Sequence, residues 1–192
     1  MSMVKPVLQF AHHLLEESVE KGDFVVDATC GNGHDSIFLS DLIGEKGRVL
    51  SFDIQKQAIQ TTKQKLIQDE RTNVTLIHDS HENLYDYLSI QKGVEVGGAI
   101  FNLGYLPRSD KTIVTEGKST LKAIQILLDY LKKDRLIVLV VYHGHEGGKD
   151  EKEMLLKYML HLDQKKYNVL RYGFINQKNN PPFILAIQKK ED

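Results

Sequence analysis

The chain has 192 residues, of which 41% are hydrophobic and 27% are charged, a composition typical of a folded globular protein. This length suits one compact domain spanning residues 1–192. No run reaches the roughly 18 apolar residues that cross a bilayer, and residues 1–10 lack the pattern of a signal peptide. We therefore expect a soluble cytoplasmic protein that does not attach to membranes. The formal net charge of -1 means that a polyanionic partner would need a local basic patch.

Short apolar runs alternate with amphipathic segments along most of the chain. The predicted strands are residues 24–28, 48–52, 74–77, 98–103 and 136–141, and the predicted helices are residues 37–43, 55–69, 82–90, 119–131 and 151–162. Such alternation is typical of a parallel sheet with right-handed crossovers. The pattern therefore predicts an α/β protein with a Rossmann-like sheet.

Two further strand-like pieces, residues 168–174 and 183–188, follow the last predicted helix. The short segment between them permits only an antiparallel pair, because a parallel connection needs a dozen or more residues. The sequence therefore predicts a mostly parallel, seven-stranded sheet that ends in an antiparallel C-terminal hairpin.

A glycine turn follows the first predicted strand and precedes the first predicted helix. Gly31 and Gly33 let the backbone turn tightly and approach a ligand closely. Asp53 ends the second strand about twenty residues later, the spacing at which an acid reaches ribose hydroxyls. Because a carboxylate there repels a 2'-phosphate, these residues favour a nucleoside cofactor other than NADP.

Asp27 distinguishes the remaining cofactors. A carboxylate just ahead of the glycines would repel the pyrophosphate of NAD but suits the positively charged amine of S-adenosylmethionine. Ser80 and His81 follow the third strand, where a contact to adenine is expected, although Asp79 or Ser80 could equally cap the next helix. The expected cofactor-binding residues are Asp27, Gly31, Asn32, Gly33, Asp35, Asp53, Gln55, Ser80 and His81.

Cys30 is the one cysteine of the chain and lies inside the glycine turn. A small residue that fits a tight turn is the preferred interpretation, and a thiol that accepts a methyl group is the alternative. His143 and His145 flank a glycine next to Glu146, which resembles a metal site. Since the adjoining glycines suit a loop over the substrate, we expect these histidines to contact substrate and expect no metal.

Three motifs carry a family resemblance: DATCGNGHD (residues 27–35), FNLGYLP (101–107) and YHGHEGG (142–148). Together they resemble the rRNA methylase family and are similar to bacterial tRNA 5-(aminomethyl)-2-thiouridine methyltransferases of the MnmM type, across nearly the whole chain. The resemblance implies the class I methyltransferase fold and S-adenosylmethionine as cofactor. It also implies conversion of the 5-aminomethyl group of a tRNA wobble uridine, in the anticodon region, to 5-methylaminomethyl.

The resemblance also implies roles at the reacting end. In several methyltransferases that act on nitrogen, an Asn at the end of the fourth strand binds the amine, which implies catalytic roles for Asn102 and Tyr105. Basic and stacking side chains recognise splayed RNA bases, so Arg108, Lys111 and Lys118 are expected on the approach surface. A homodimer would lengthen that surface.

Two alternatives stay open. Methyl transfer to rRNA or to a small-molecule amine would use the same cofactor site. A binding module or an NAD-dependent oxidoreductase would make Asp27 and Asn102 incidental, and binding of NAD in place of S-adenosylhomocysteine would favour the oxidoreductase.

Overall fold

The computed structural model describes residues 4–104, 117–144 and 148–191. The strands are β1 (Phe24–Asp27), β2 (Arg48–Phe52), β3 (Val74–Ile77), β4 (Val96–Leu103), β5 (Leu136–Val141), β6 (Tyr167–Gly173) and β7 (Phe183–Lys189). The helices are α1 (Val7–Ser18), α2 (His34–Ile43), α3 (Lys56–Gln68), α4 (Leu84–Leu88), α5 (Gly117–Tyr130) and α6 (Gly148–Leu160), and a 3-10 helix (His81–Asn83) precedes α4.

All seven strands form one sheet in the order β3-β2-β1-β4-β5-β7-β6. The strands from β1 to β5 pair in parallel, whereas β7 pairs antiparallel with both β5 and β6. The predicted Rossmann-like sheet with an antiparallel C-terminal hairpin is therefore confirmed. The hairpin enters the sheet with β7 inside and β6 at the edge, because β7 carries the continuous apolar run.

Helices cover both faces of the sheet. Along β5, Ile137 and Leu139 point to the face that packs against α4, α5 and α6, while Val138 and Val140 point to the face that packs against α1 and α2. All four side chains are fully buried. This burial explains why β5 is apolar throughout and does not alternate.

Helix α1 was not among the predicted elements. Val7, Ala11 and Leu15 are spaced along one side of this helix and are buried against the sheet. No side chain caps its first turn, since its N-cap is Pro6. The helix therefore depends on its packing against the sheet for much of its stability.

A second difference concerns the segment after β3. The predicted helix over residues 82–90 is a 3-10 turn followed by the short α4. Ser80 begins the turn, and its hydroxyl oxygen accepts the Glu82 N–H at 3.3 Å. None of the helices in the described ranges is long and apolar enough to span a membrane.

The strand order changes direction between β1 and β4. In open parallel sheets this switch point leaves a crevice at the carboxyl ends of the strands, where ligands bind. Here the crevice is bordered by the glycine turn after β1, by the end of β2 and by Asn102 near the end of β4. The predicted site residues on these three elements therefore lie around one crevice.

Candidate active site

The glycine turn is held in place by the acid at the end of β2. The two carboxylate oxygens of Asp53 accept the Gly31 and Gln55 N–H groups, each at 2.8 Å. Burial raises the pKa of Asp53 above its ordinary value, although these two hydrogen bonds act to lower it. Asp53, Gly31 and Gln55, all predicted to bind the cofactor, therefore contact one another, and their contact with the cofactor stays a prediction.

The second glycine of the turn closes against helix α3. Gly33 has a φ of +80°, and a Cβ atom there would lie 2.6 Å from Thr62 Cγ2. Lys65, also on α3, donates from Nζ to the Asn32 carbonyl oxygen at 2.7 Å. The side chains of Asp53 and Lys65 therefore hold the turn by its backbone, and these hydrogen bonds do not involve the Asn32 side chain.

Asp27 lies at the end of β1 and is completely buried. Its carboxylate accepts the Ser36 hydroxyl at 2.6 Å and the Thr29 N–H at 3.1 Å. Burial, with the nearby charge of Asp35, raises the pKa of Asp27 to about 7. No cationic side chain in the described ranges pairs with it, so the site favours a positively charged ligand group.

The polar residues after β3 have local partners. Asp79 accepts the Ser80 N–H, the Asn83 side chain and the Tyr87 hydroxyl. Burial acts to raise the pKa of Asp79, but these hydrogen bonds outweigh it and leave the pKa below its ordinary value. The capping alternative is present for Ser80, which caps the 3-10 turn, while Asp79 holds the neighbouring side chains. The adenine contact stays a prediction.

His81 turns inward beneath the crevice. Its Nδ1 lies 2.9 Å from the Ala28 carbonyl oxygen, and its ring packs edge-on against Phe101 at 5.5 Å between centroids. Burial lowers the pKa of His81, so the ring is neutral near pH 7. The carbonyl accepts a hydrogen from Nδ1, which leaves the buried Nε2 as an acceptor with no hydrogen-bond partner.

Asn102 near the end of β4 faces the first turn of α2. Its side-chain nitrogen lies 3.3 Å from Asp35 Oδ2, and its backbone N–H donates to the Thr29 hydroxyl at 2.6 Å. Asp35 is buried, and its other oxygen lies 2.7 Å from His12 Nε2 on α1. The structure therefore joins Asn102 to Asp35, and joins both to a histidine that the sequence analysis did not single out.

Beyond β5, Tyr142 and His143 continue the rim of the crevice. Tyr142 is 39% exposed, and burial together with the negative charge of Asp35 raises the pKa of its hydroxyl. Burial also lowers the pKa of His143, and the positive charges of Lys152 and Arg171 lower it further. Tyr142 is a second site residue that sequence reasoning missed, although it opens the motif YHGHEGG.

Four predicted substrate residues, Tyr105, Arg108, Lys111 and His145, lie outside the described residues. Within the described ranges, no three His, Cys, Asp or Glu side chains converge as a metal site would require. Since His145 and Glu146 lie beyond those ranges, the absence of a metal stays a prediction.

Cys30 is buried, with 3% of its surface exposed. Its thiol lies 3.4 Å from the Thr62 hydroxyl, and burial, with the charge of Asp27, raises the pKa of the thiol to about 12. A thiol in this state is a poor nucleophile. The geometry supports the interpretation of Cys30 as a packing residue.

The seven-stranded sheet, with a glycine turn and acidic strand ends at its switch point, defines the class of Rossmann-like methyltransferases. The family model described as "Putative rRNA methylase" matches residues 49–188. The chain belongs to this family. A second model, for protein-L-isoaspartate(D-aspartate) O-methyltransferase, matches residues 2–93, the part that carries β1 to β3.

Similar proteins agree with this assignment. The chloroplastic tRNA (mnm(5)s(2)U34)-methyltransferase of Arabidopsis thaliana is 33% identical over 97% of this chain and 70% of the relative. A crystal structure described as a putative rRNA-methylase from Clostridium thermocellum has a TM-score of 0.92 and 41% identity, covering 98% of this chain and 100% of that one. A putative methyltransferase from Streptococcus mutans in complex with SAH has a TM-score of 0.87 and 37% identity, covering 97% and 99% of the two chains.

Proposed function

We propose that this protein transfers a methyl group from S-adenosylmethionine to the 5-aminomethyl group of a tRNA wobble 2-thiouridine, giving 5-methylaminomethyl-2-thiouridine. The similarity to the chloroplastic tRNA methyltransferase over 97% of this chain carries the proposal. The geometry of the crevice supports it, because an amide side chain suited to an amine lies beside a site suited to a cationic nucleoside cofactor.

The residues around the crevice fit S-adenosylmethionine. Asp27 offers a buried carboxylate that accepts hydrogen bonds from Ser36 and Thr29 and lies near the carboxylate of Asp35, so a cationic amine would stabilise its ionised form. Asp53 keeps lone pairs beyond the two that accept backbone N–H groups, and these can accept ribose hydroxyls. When bound, S-adenosylmethionine supplies an electrophilic methyl group on a sulfonium.

Methyl transfer to nitrogen depends mainly on holding the amine lone pair in line with the bond that breaks. Asn102 has its side-chain nitrogen toward Asp35, which leaves its side-chain oxygen to accept an N–H of the acceptor amine. Tyr142 lies close enough to Asp35 for the negative charge of Asp35 to raise the pKa of its hydroxyl, and it forms the adjoining wall of the crevice. Asn102 therefore orients the amine, and Tyr142 limits where the base can lie.

A basic lip consisting of His143, Lys152 and Arg171 supports an RNA acceptor. The Arg171 guanidinium lies 4.6 Å from the centre of the Phe183 ring, and the His143 ring lies 5.6 Å from the same ring. Lys152 and Arg171 form no ion pair with any residue of the described ranges. Unneutralised cations next to the acceptor site suit phosphates of an anticodon loop.

The remaining features predicted from the sequence are part of this proposal and rest on the sequence alone. They are the base contact by Tyr105, the RNA contacts by Arg108, Lys111 and His145, the adenine contact by Ser80 and His81, a contact by Asn32, and a single domain over residues 1–192. A homodimer and a cytoplasmic location are also proposed, and the mass in solution and cell fractionation would test them.

The test is transfer of labelled methyl from S-adenosylmethionine to tRNA from a strain that lacks the modification, followed by mass spectrometry of the nucleosides. We expect 5-aminomethyl-2-thiouridine to gain one methyl on nitrogen. An Asn102→Ala variant should bind S-adenosylhomocysteine as the wild type does and should lose turnover roughly a hundredfold.

The family description makes rRNA the second candidate acceptor. The same labelled reaction with rRNA from the corresponding strain distinguishes the two. Label in rRNA and none in tRNA would replace the proposed acceptor and keep the cofactor. Label in neither RNA would refute RNA methylation.

A further inference from the structure

Three side chains from separate elements form a chain of contacts that ends at the acceptor site. His12 on α1 lies 2.7 Å from Asp35 at the start of α2, and Asp35 lies 3.3 Å from the side-chain nitrogen of Asn102 on β4. Asp35 is 5% exposed, so protein surrounds its carboxylate almost completely. The chain therefore connects a helix outside the crevice with the residue proposed to hold the amine.

The carboxylate of Asp35 fixes which way the Asn102 amide points. A carboxylate can only accept hydrogen bonds, so the group of Asn102 that faces it must be the NH₂. The backbone of Asn102 is held by the Thr29 hydroxyl and by pairing with Val140 of β5. With both the backbone and the NH₂ held, the amide oxygen is directed away from Asp35 and is available to an amine donor.

His12 in turn fixes the carboxylate. Because Asp35 accepts, Nε2 of His12 must carry the hydrogen. The His12 ring stacks on Phe38 of α2, with 3.9 Å between centroids and 7° between planes. Stacking on Phe38 and bonding to Asp35 leave the imidazole little freedom, so α1 contributes a rigid donor to the site.

We propose that His12 is a positioning residue for the acceptor amine, and that it acts through Asp35 on the amide of Asn102. This inference rests on the proposed amine methylation. In the absence of the His12 donor, the Asp35 carboxylate can rotate away from Asn102, and the amide, which is no longer held, can then turn its NH₂ toward the amine. The amine N–H would then meet a donor, and its lone pair would leave the line of transfer.

Two substitutions separate bonding from packing. His12→Phe keeps a ring for stacking on Phe38 and removes the donor, whereas His12→Gln keeps a donor and removes the ring. We expect His12→Phe to lower kcat roughly tenfold, with the KM for tRNA and the affinity for S-adenosylhomocysteine within about twofold of wild type. His12→Gln should recover most of the lost kcat.

The neighbouring residue provides a matched control. His13 lies on the same helix, is similarly half-buried, and has Glu16 as its partner at 3.8 Å in place of Asp35. His13→Phe should therefore leave kcat unchanged. If His12→Phe does not fold, His12→Leu removes the donor with less bulk and carries the same expectation.

A double-mutant cycle tests the route through Asn102. In an Asn102→Ala background, His12→Phe should cause no further loss of kcat, because the amide that it positions is gone. Wild-type kcat in His12→Phe, or an undiminished tenfold loss in the Asn102→Ala background, would overturn the inference. Absence of methylation by the wild-type protein would instead refute the proposed function.

Discussion

The buried carboxylate of Asp27 should make the stability of the ligand-free protein depend on pH. Burial raises its pKa from 3.8 to about 7 in the folded chain, so the folded state holds a proton that the unfolded state has released. A raised pKa in an acid means that stability is greatest below 3.8 and falls as the pH rises to about 7. The full loss corresponds to about 4 kcal/mol of unfolding free energy.

Replacing Asp27 with Asn removes this titration. Between about pH 5 and about pH 8.5 the unfolding free energy of the wild type should fall by roughly 3 kcal/mol more than that of Asp27→Asn. This interval includes most of the range between the folded and unfolded pKa values of Asp27. For a chain of this length the difference between their thermal midpoints should change by about 6 to 12 °C. Titrating groups far from Asp27 affect both proteins equally and cancel in the comparison.

The measurement is thermal or denaturant unfolding of both proteins at the two pH values, without ligand. Asp86→Asn, an exposed aspartate on α4, is the control and should track the wild type. A constant difference in stability between wild type and Asp27→Asn would refute the reasoning. Binding of S-adenosylhomocysteine offers a second check, since its cationic amine should bind the wild type more tightly as the pH rises toward about 7.

Three further predictions concern the glycine turn and the basic lip. Gly33→Ala should lower the free energy of unfolding by about 1 to 3 kcal/mol in denaturant unfolding, because its Cβ would clash with Thr62. Gly22→Ala should lower it less, because Gly22 has a φ of +88° but open space around its Cβ position. Cys30 should resist iodoacetamide until the protein unfolds, because its thiol is buried and has a pKa of about 12, and rapid labelling of the folded protein would contradict this. Arg171→Ala should raise the KM for tRNA roughly threefold without changing the affinity for S-adenosylhomocysteine, whereas Lys166→Ala, before the opposite end of β6, should change neither.

Local patterns in the sequence were sufficient to predict the sheet and the glycine turn after β1. The apolar runs that predict the strands and the glycines that predict the turn after β1 are signals from residues close together in the sequence. The structure confirms the sheet that they predict. The proximity of Gly31 and Asp53 followed as well, since adjacent parallel strands bring their carboxyl ends together. The family motifs added the implied role of Asn102, which the geometry supports and the proposed experiments test.

Other features depend on contacts between residues far apart in the chain. No local pattern shows that α1 would bring His12 to Asp35, because packing against β5 decides where that helix lies. Nor could the sequence predict that Tyr142 would lie near Asp35. The raised pKa of Asp27 likewise arises from complete burial beside a second carboxylate. Burial and charge proximity are properties of the assembled core. The sequence by itself therefore determined the strands, most of the helices and the glycine turn, while only the tertiary structure decided where α1 packs and how the site is held and charged.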